Sequence, residues 1–161
     1  MALYRNGAFE TDAWSYPADD APIPGSGPVA LPRTRYISER DALMQRADPL
    51  ALVLRPGEDL AGVEGDLARF AMIVLDIPKY SDGRLYSIAR LLRERWAFAG
   101  ELRARGDILR DQIAFLHRVG VDSYEIAHEG TIAALQSGAI AAVRRHYQRA
   151  ARNDDSIPGV R

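Results

Sequence analysis

The sequence predicts an α/β domain with parallel strands, on three observations. Strand-like runs recur at Leu50-Ala-Leu-Val-Leu54, Ile73-Val-Leu-Asp-Ile77, Glu101-Leu-Arg-Ala-Arg105 and Asp122-Ser-Tyr-Glu-Ile126. Stretches with helical spacing of apolar residues follow each of them. The connections are short, and strands separated by helices favour parallel pairing through right-handed crossovers. This gives four β-α units between Leu50 and about residue 148. Two architectures fit them. One is an open parallel sheet with helices on both faces. The other is half of a β/α barrel, with four curved strands, helices outside and edges that need covering. No residue-level repeat relates the units.

The N-terminal part has its own character. Asn6-Gly7 predicts a type I′ turn and a small β-hairpin over residues 2–15. Trp14 and Tyr16 are expected to cover apolar surface. Residues 17–28 are rich in Pro, Gly and Asp and read as a loop or linker. Val29-Ala-Leu-Pro32 reads as an edge strand, because Pro32 cannot donate to a ladder. A short helix is expected over 38–46 with Ser38 as its N-cap, stopped by Asp48-Pro49. The resulting division is a hairpin and linker over 1–35, an α/β domain over 36–150 and a flexible tail over 151–161.

Within the α/β part, Leu50–Leu54 is unbroken apolar, as expected of a strand covered on both faces. Leu60, Val63, Leu67 and Phe70 recur at helical spacing, although Gly62 and Gly65 weaken that helix. The next helix opens after Pro78-Lys-Tyr-Ser-Asp-Gly-Arg84 and runs towards Gly100. Its inward face is Leu85, Ile88, Ala89, Leu92 and Trp96, and Arg90, Arg93, Glu94 and Arg95 form a solvated face. A third helix runs from Gly106-Asp107 to Gly120, with Leu109, Ile113 and Leu116 inward. Thr131 is expected to cap a last helix with Ile132, Leu135, Ala139 and Val143 inward. Residues 153–161 are expected to fray.

Composition limits the function. The 161 residues suit one compact domain, and 47% hydrophobic residues can supply its core. A net charge of −1 argues against a general nucleic-acid binder and a polybasic membrane-surface protein. No apolar run approaches the ~20 residues of a membrane span. The N-terminus lacks a signal-peptide core, so a cytoplasmic protein is expected. There is no cysteine, which excludes disulfides, a thiol nucleophile and cysteine-held iron–sulfur clusters within the chain.

In either architecture ligands bind at the C-terminal ends of parallel strands. Those ends carry Arg55 and Gly57, then Asp76, Lys79, Ser81, Asp82 and Arg84. They also carry Arg103, Arg105, Asp107 and Asp111, then Glu125, His128 and Glu129. Strand alternation puts Arg103 and Arg105 on one face. Two guanidiniums there require an anion or carboxylates between them. Asp107 and Asp111, one helical turn apart, are candidate supporting carboxylates with Asp76 and Asp82. One reading is a structural salt-bridge network. The sharper reading is an oxyanion site using Lys79, Ser81, Gly83, Arg84, Arg103 and Arg105, near a helix N-terminus. Sulfite, sulfate, phosphate or a carboxylate suits it. Asp82 taken alone reads as a helix cap, and Tyr86 and Tyr124 read as structural before they read as ligand donors.

Other chemistries find little support. His117, His128 and His146 lack the spacing of a metal site. His128, beside Glu129 at a strand end, is the one histidine placed as a candidate acid or base. There is no Walker pattern, no G-x-G-x-x-G and no G-x-S-x-G elbow.

Longer motifs carry a family resemblance. Pro78-Lys-Tyr-Ser-Asp-Gly-Arg84, with Tyr86-Ser87 and Leu91-Leu-Arg-Glu-Arg95 behind it, resembles the bacterial domain of unknown function 934. So do Gly100-Glu-Leu-Arg-Ala-Arg-Gly-Asp-Ile-Leu-Arg-Asp-Gln112 and Gly120-Val-Asp-Ser-Tyr-Glu125, with a weaker match at Asp12 and Trp14. Tyr80 and Leu85 stand where phenylalanine and a small residue are expected. The resemblance implies a gene setting beside assimilatory sulfite reductase and the reductase for activated sulfate. Some members carry the name oxidoreductase, but no reaction or catalytic residue comes with the family. Its matching positions, among them Arg110 and Gln112, are site candidates only.

The expectation is therefore an accessory protein of sulfate and sulfite reduction that binds an oxyanion or docks on sulfite reductase. The docking version uses the arginine-rich helix Arg90 to Arg95 against an acidic partner. The alternative is an autonomous oxidoreductase that holds a flavin or nicotinamide without a standard fingerprint. A homodimer is a geometric suggestion, since two halves could close a barrel.

Overall fold

The computed structural model describes residues 1–81 and 83–138. Its strands are β1 (Ala2–Arg5), β2 (Ala8–Glu10), β3 (Val29–Pro32), β4 (Leu50–Leu54), β5 (Phe70–Ile77), β6 (Glu101–Gly106) and β7 (Ser123–Ile126). Its helices are α1 (Arg33–Ser38), α2 (Arg40–Met44), α3 (Arg84–Glu94), α4 (Arg110–Arg118) and α5 (Glu129–Gln136). The seven strands form one sheet in the order β2-β1-β7-β6-β5-β4-β3. Strands β3 to β7 are parallel, and β1 runs antiparallel to both β2 and β7.

The parallel strands lie in sequential order, so every crossover steps the same way. Right-handed crossovers in one direction place all helices on one face. A doubly wound sheet would need a reversal of strand order, and there is none here. The packing agrees. One buried cluster joins Leu52, Ile73, Leu75, Leu102, Ala104 and Tyr124 to Leu85, Ala89 and Leu92 of α3, Ile113 and Leu116 of α4, and Leu135 of α5. The opposite face holds a smaller cluster, Ala30, Ala51, Val53, Met72 and Val74, packed by Trp14 and Tyr16 and, among the described residues, by no helix. The sheet is thus wound in the one-sided manner of half a β/α barrel.

Residues 11–19 run over this second face as a strap. It also closes the β3 edge: Ser15 N–H donates to the Pro28 carbonyl (3.0 Å), and Ala30 N–H donates to the Ser15 carbonyl (2.9 Å). At the other end the hairpin covers β7 through β1. Asn6 (φ 51°) and Gly7 (φ 84°) supply the two left-handed residues of the predicted turn. The hairpin strands end at Glu10, earlier than the expected residue 15, because the chain leaves to become the strap.

Several local expectations change. Ser38 does not start a helix. It ends α1, and its hydroxyl donates to the Arg35 carbonyl. The chain turns helical directly after Pro32, which brings Tyr36 inward. The Tyr36 hydroxyl donates to Asp66 (3.0 Å), and its ring meets Phe70 edge-on. Leu60 to Phe70 forms a 3-10 helix (Glu64–Arg69) and then the start of β5, because Gly62 takes φ 82° and breaks the α-helical run. Helix α3 ends at Glu94, so Trp96 lies beyond it and is 37% exposed. Helix α5 is capped by His128, whose Nδ1 accepts from Thr131 N–H (3.0 Å); Thr131 itself is helical. Ala139, Val143, residues 153–161 and His146 lie outside the described residues.

Arg93 departs most from its expected place on a solvated face. Its side chain is 4% exposed. It donates to the carbonyls of Gly120 (3.0 Å), Gly100 (2.9 Å) and Phe98, and pairs with Asp122 at 2.6 Å. It therefore ties the end of α3 to the starts of β6 and β7. Leu85 and Leu92, both fully buried, contribute roughly 1.5–3 kcal/mol each. The exposed Arg90–Glu94 pair adds only about 0.3–0.5 kcal/mol, so burial decides where α3 sits.

Candidate functional site

Strand alternation sends Leu102 and Ala104 to the helices and Glu101, Arg103 and Arg105 to the strap. The sequence expectation that the two arginines share a face is met, but their surroundings differ. Arg103 is 1% exposed and fully engaged. Its Nη1 donates to Asp12 (2.9 Å) and the Tyr16 hydroxyl (3.2 Å). Its Nε donates to Glu101 (3.1 Å) and Ser123 (3.2 Å), and its Nη2 to Glu101 (3.0 Å). Ser123 also donates to Glu101, at 2.5 Å. Burial disfavours the charge, but the hydrogen bond to Asp12 and the surrounding oxygens outweigh it and raise the guanidinium pKa. Arg103 is the centre of a salt-bridge network that fixes the strap.

Arg105 lies one step towards the strand ends. In register it stands between Asp76 of β5 and Glu125 of β7. Its Nε is 3.9 Å from a carboxylate oxygen of each, too long for a hydrogen bond. That Nε and Glu125 Oε2 are both buried without a protein hydrogen-bond partner. The Tyr16 ring lies over the guanidinium, 4.4 Å from its centroid to Cζ. Burial, then the nearby Glu125 charge, pushes the Tyr16 hydroxyl pKa well up, so Tyr16 stays neutral at physiological pH. Tyr16, Asp19, Ala30, Val53, Arg55, Asp76 and Arg105 help line a cavity of about 220 Å³ at this end of the sheet. Arg55 Nη2 donates to Asp19 at 3.0 Å, and both side chains are largely exposed.

A second, more open depression of about 470 Å³ lies at the ends of β4 and β5. It is lined by Pro56, Pro78, Lys79, Ser81 and Arg84. Two cations and a hydroxyl thus meet there, and no carboxylate is among its described lining residues. Gly83 precedes α3 as its N-cap residue, with no side-chain cap. Asp82, expected as a cap, lies outside the described residues.

The predicted site residues therefore separate into two groups. Lys79, Ser81 and Arg84 share the depression; Asp76 and Arg105 share the cavity; Arg103 belongs to the network below it. Asp107 and Asp111 are not the carboxylates between the arginines. Asp107 accepts from Tyr80 N–H (3.3 Å), and its own N–H donates to the Ile77 carbonyl (2.8 Å). Asp111 is exposed on α4. The β6 strand ends before both, and Gly106 turns the chain away at φ 123°. A Cβ on Gly106 would lie 2.2 Å from the Ile77 carbonyl oxygen, so this turn requires glycine. Asp12, Glu101, Asp76 and Glu125 take the role instead. Asp12, Tyr16 and Asp19 were missed as site residues because they sit in the N-terminal segment; the Asp12 and Trp14 match was the one signal pointing there. Tyr124 is buried and structural, its hydroxyl near the carbonyls of Ile113 and Val121.

Among the described residues no group of three or more His, Asp or Glu side chains could hold a metal ion. No described helix is long and apolar enough to cross a membrane. The family of bacterial proteins of unknown function, DUF934, matches residues 51–157. The chain belongs to that family. The match takes in Arg55, Asp76, the depression, Arg103 and Arg105, and starts after the strap. No curated protein and no solved structure matches the chain.

Proposed function

We propose that this DUF934 protein is an accessory of assimilatory sulfate and sulfite reduction that binds an oxyanion at the C-terminal ends of its strands. The observation that carries the chemistry is the depression that Lys79, Arg84 and Ser81 line together. Charge-assisted bonds from two such cations suit a compact tetrahedral or pyramidal anion. The pathway rests on the gene setting that the family resemblance implies. An exposed site of this kind holds its anion weakly and in a salt-dependent way. It suits a protein that passes an oxyanion to, or senses it beside, a reductase.

The arginine-rich segment offers a docking face reduced to Arg95, which is exposed beside Trp96. Arg93 is consumed inside the fold, and Arg90 is paired with Glu94. For sulfite reductase as a partner, the strand-end surface with Lys79 and Arg84 is the favoured face. Sulfite and sulfate titrations by calorimetry test the site. Lys79→Ala combined with Arg84→Ala should weaken binding about tenfold or more, from the loss of two charge-assisted contacts. Unchanged binding would remove the site. A deletion strain should fail on sulfate and sulfite and recover on sulfide; normal growth on all three would remove the pathway. A purified protein that carries a flavin or nicotinamide would favour an oxidoreductase instead.

A further inference from the structure

The cavity beneath Tyr16 has a different chemistry from the depression. It contains both signs of charge, and its central cation is under-used. Arg105 makes no hydrogen bond within the described protein, although a guanidinium has five N–H donors. Arg103, two residues earlier on the same face, satisfies all three of its nitrogens. Asp76, the register partner of Arg105, also faces the cavity. Glu125 lies on the other side with one buried oxygen lacking a donor. The remaining wall is Ala30, Pro32 and Val53, with Pro17 and Ala18 of the strap.

We propose that this cavity binds a small zwitterion, its carboxylate on Arg105 and its ammonium on Asp76. A simple anion would gain Arg105 but meet the fields of Asp76 and Glu125. A simple cation would gain Asp76 but meet Arg105. A molecule with both charges a few ångströms apart satisfies the row without uncompensated burial. Size agrees. A cavity of about 150 Å³ can hold benzene, so about 220 Å³ accommodates an α-amino acid with a short side chain. The Tyr16 ring holds the guanidinium in place, and the exposed Arg55–Asp19 pair stands at the rim.

The test is calorimetric titration of the full chain with glycine, L-alanine and L-serine, and with propionate and ethylamine as the two half-ligands. At least one amino acid should bind about tenfold more tightly than either half-ligand, and Arg105→Gln should weaken it about tenfold. Val53→Met, which fills the apolar wall without touching a charge, should do the same. Lys79→Ala with Arg84→Ala should leave it unchanged, which separates this site from the oxyanion depression. Circular dichroism checks the fold of each variant; if Arg105→Gln does not fold, Val53→Met decides. The proposal is overturned if none of the three amino acids binds by about 10 mM, an affinity near the weak limit of specific binding. It is also overturned if propionate binds equally well, if folded Arg105→Gln or Val53→Met binds as wild type does, or if the Lys79/Arg84 variant loses the amino acid.

Discussion

Arg103 and Arg105 stand two residues apart on one strand face, yet one is held by the fold and the other is only surrounded by it. Arg103 has Asp12, Glu101, Ser123 and Tyr16 at hydrogen-bonding distance. Arg105 has two carboxylates at 3.9 Å and a ring above it. The strap causes the difference. It enters over β6 with Asp12, passes Tyr16 across both arginines and leaves towards Arg55 with Asp19. It therefore seals the lower part of the face and leaves a cavity at the strand ends. The lower part is closed by hydrogen bonds, and the upper part keeps an open cavity.

The largest test of this contrast is on stability. Arg103→Met leaves Asp12 without its cation and Glu101 with Arg5 alone, 3.3 Å away. Removing one partner of a buried ion pair costs about 3–5 kcal/mol, to be read as a lower urea midpoint. Arg105→Gln removes a charge that makes no protein hydrogen bond and should cost under about 1 kcal/mol. Equal losses in the two variants would break the comparison.

Tyr16 serves both arginines, and Tyr16→Phe separates the two services. The variant keeps the ring over Arg105 and removes the oxygen that accepts from Arg103. A loss of about 1 kcal/mol is expected, with amino-acid binding retained. Loss of binding with unchanged stability would reverse the roles assigned to hydroxyl and ring.

The smallest expected effect is a slope with pH. The folded-state pKa of Tyr16 is raised by burial, as is that of Tyr36, which reaches about 12 against an ordinary value of 10.0. Above pH 10 the unfolded chain gives up these protons while the folded chain keeps them. Stability is therefore full below pH 10 and falls as pH rises, for Tyr36 between 10 and about 12. Urea midpoints measured across this range should decline, and Tyr16→Phe should reduce the decline. A flat profile would mean that these hydroxyls are better solvated than their packing implies.

The readable parts of the sequence were those set by local geometry. Asn6-Gly7 announced a turn because both residues tolerate positive φ. Leu50–Leu54 announced a buried strand because every side chain is apolar. Arg103 and Arg105 could be placed on one face because a strand repeats every two residues. Arg93 could not be read, since its spacing on α3 matches a solvated position. Its carbonyl partners come from Phe98, Gly100 and Gly120, after the chain has turned back.

The choice of carboxylates shows the same limit more sharply. Asp107 and Asp111 follow the arginines closely in sequence, and neither pairs with them; Glu101, two residues before Arg103, does. Asp12 is 91 residues from Arg103 and Tyr16 is 87. By itself, the sequence determined the strands, the hairpin turn, the family and the set of charged residues at the strand ends. Only the tertiary structure decided that the described helices pack on one face, that the N-terminal segment crosses the other, and that the cations divide between a buried network, a cavity and an open depression. The physical reason is range. Backbone propensity and strand alternation act over a few residues, whereas a buried guanidinium takes whichever oxygens the folded chain brings within hydrogen-bonding distance.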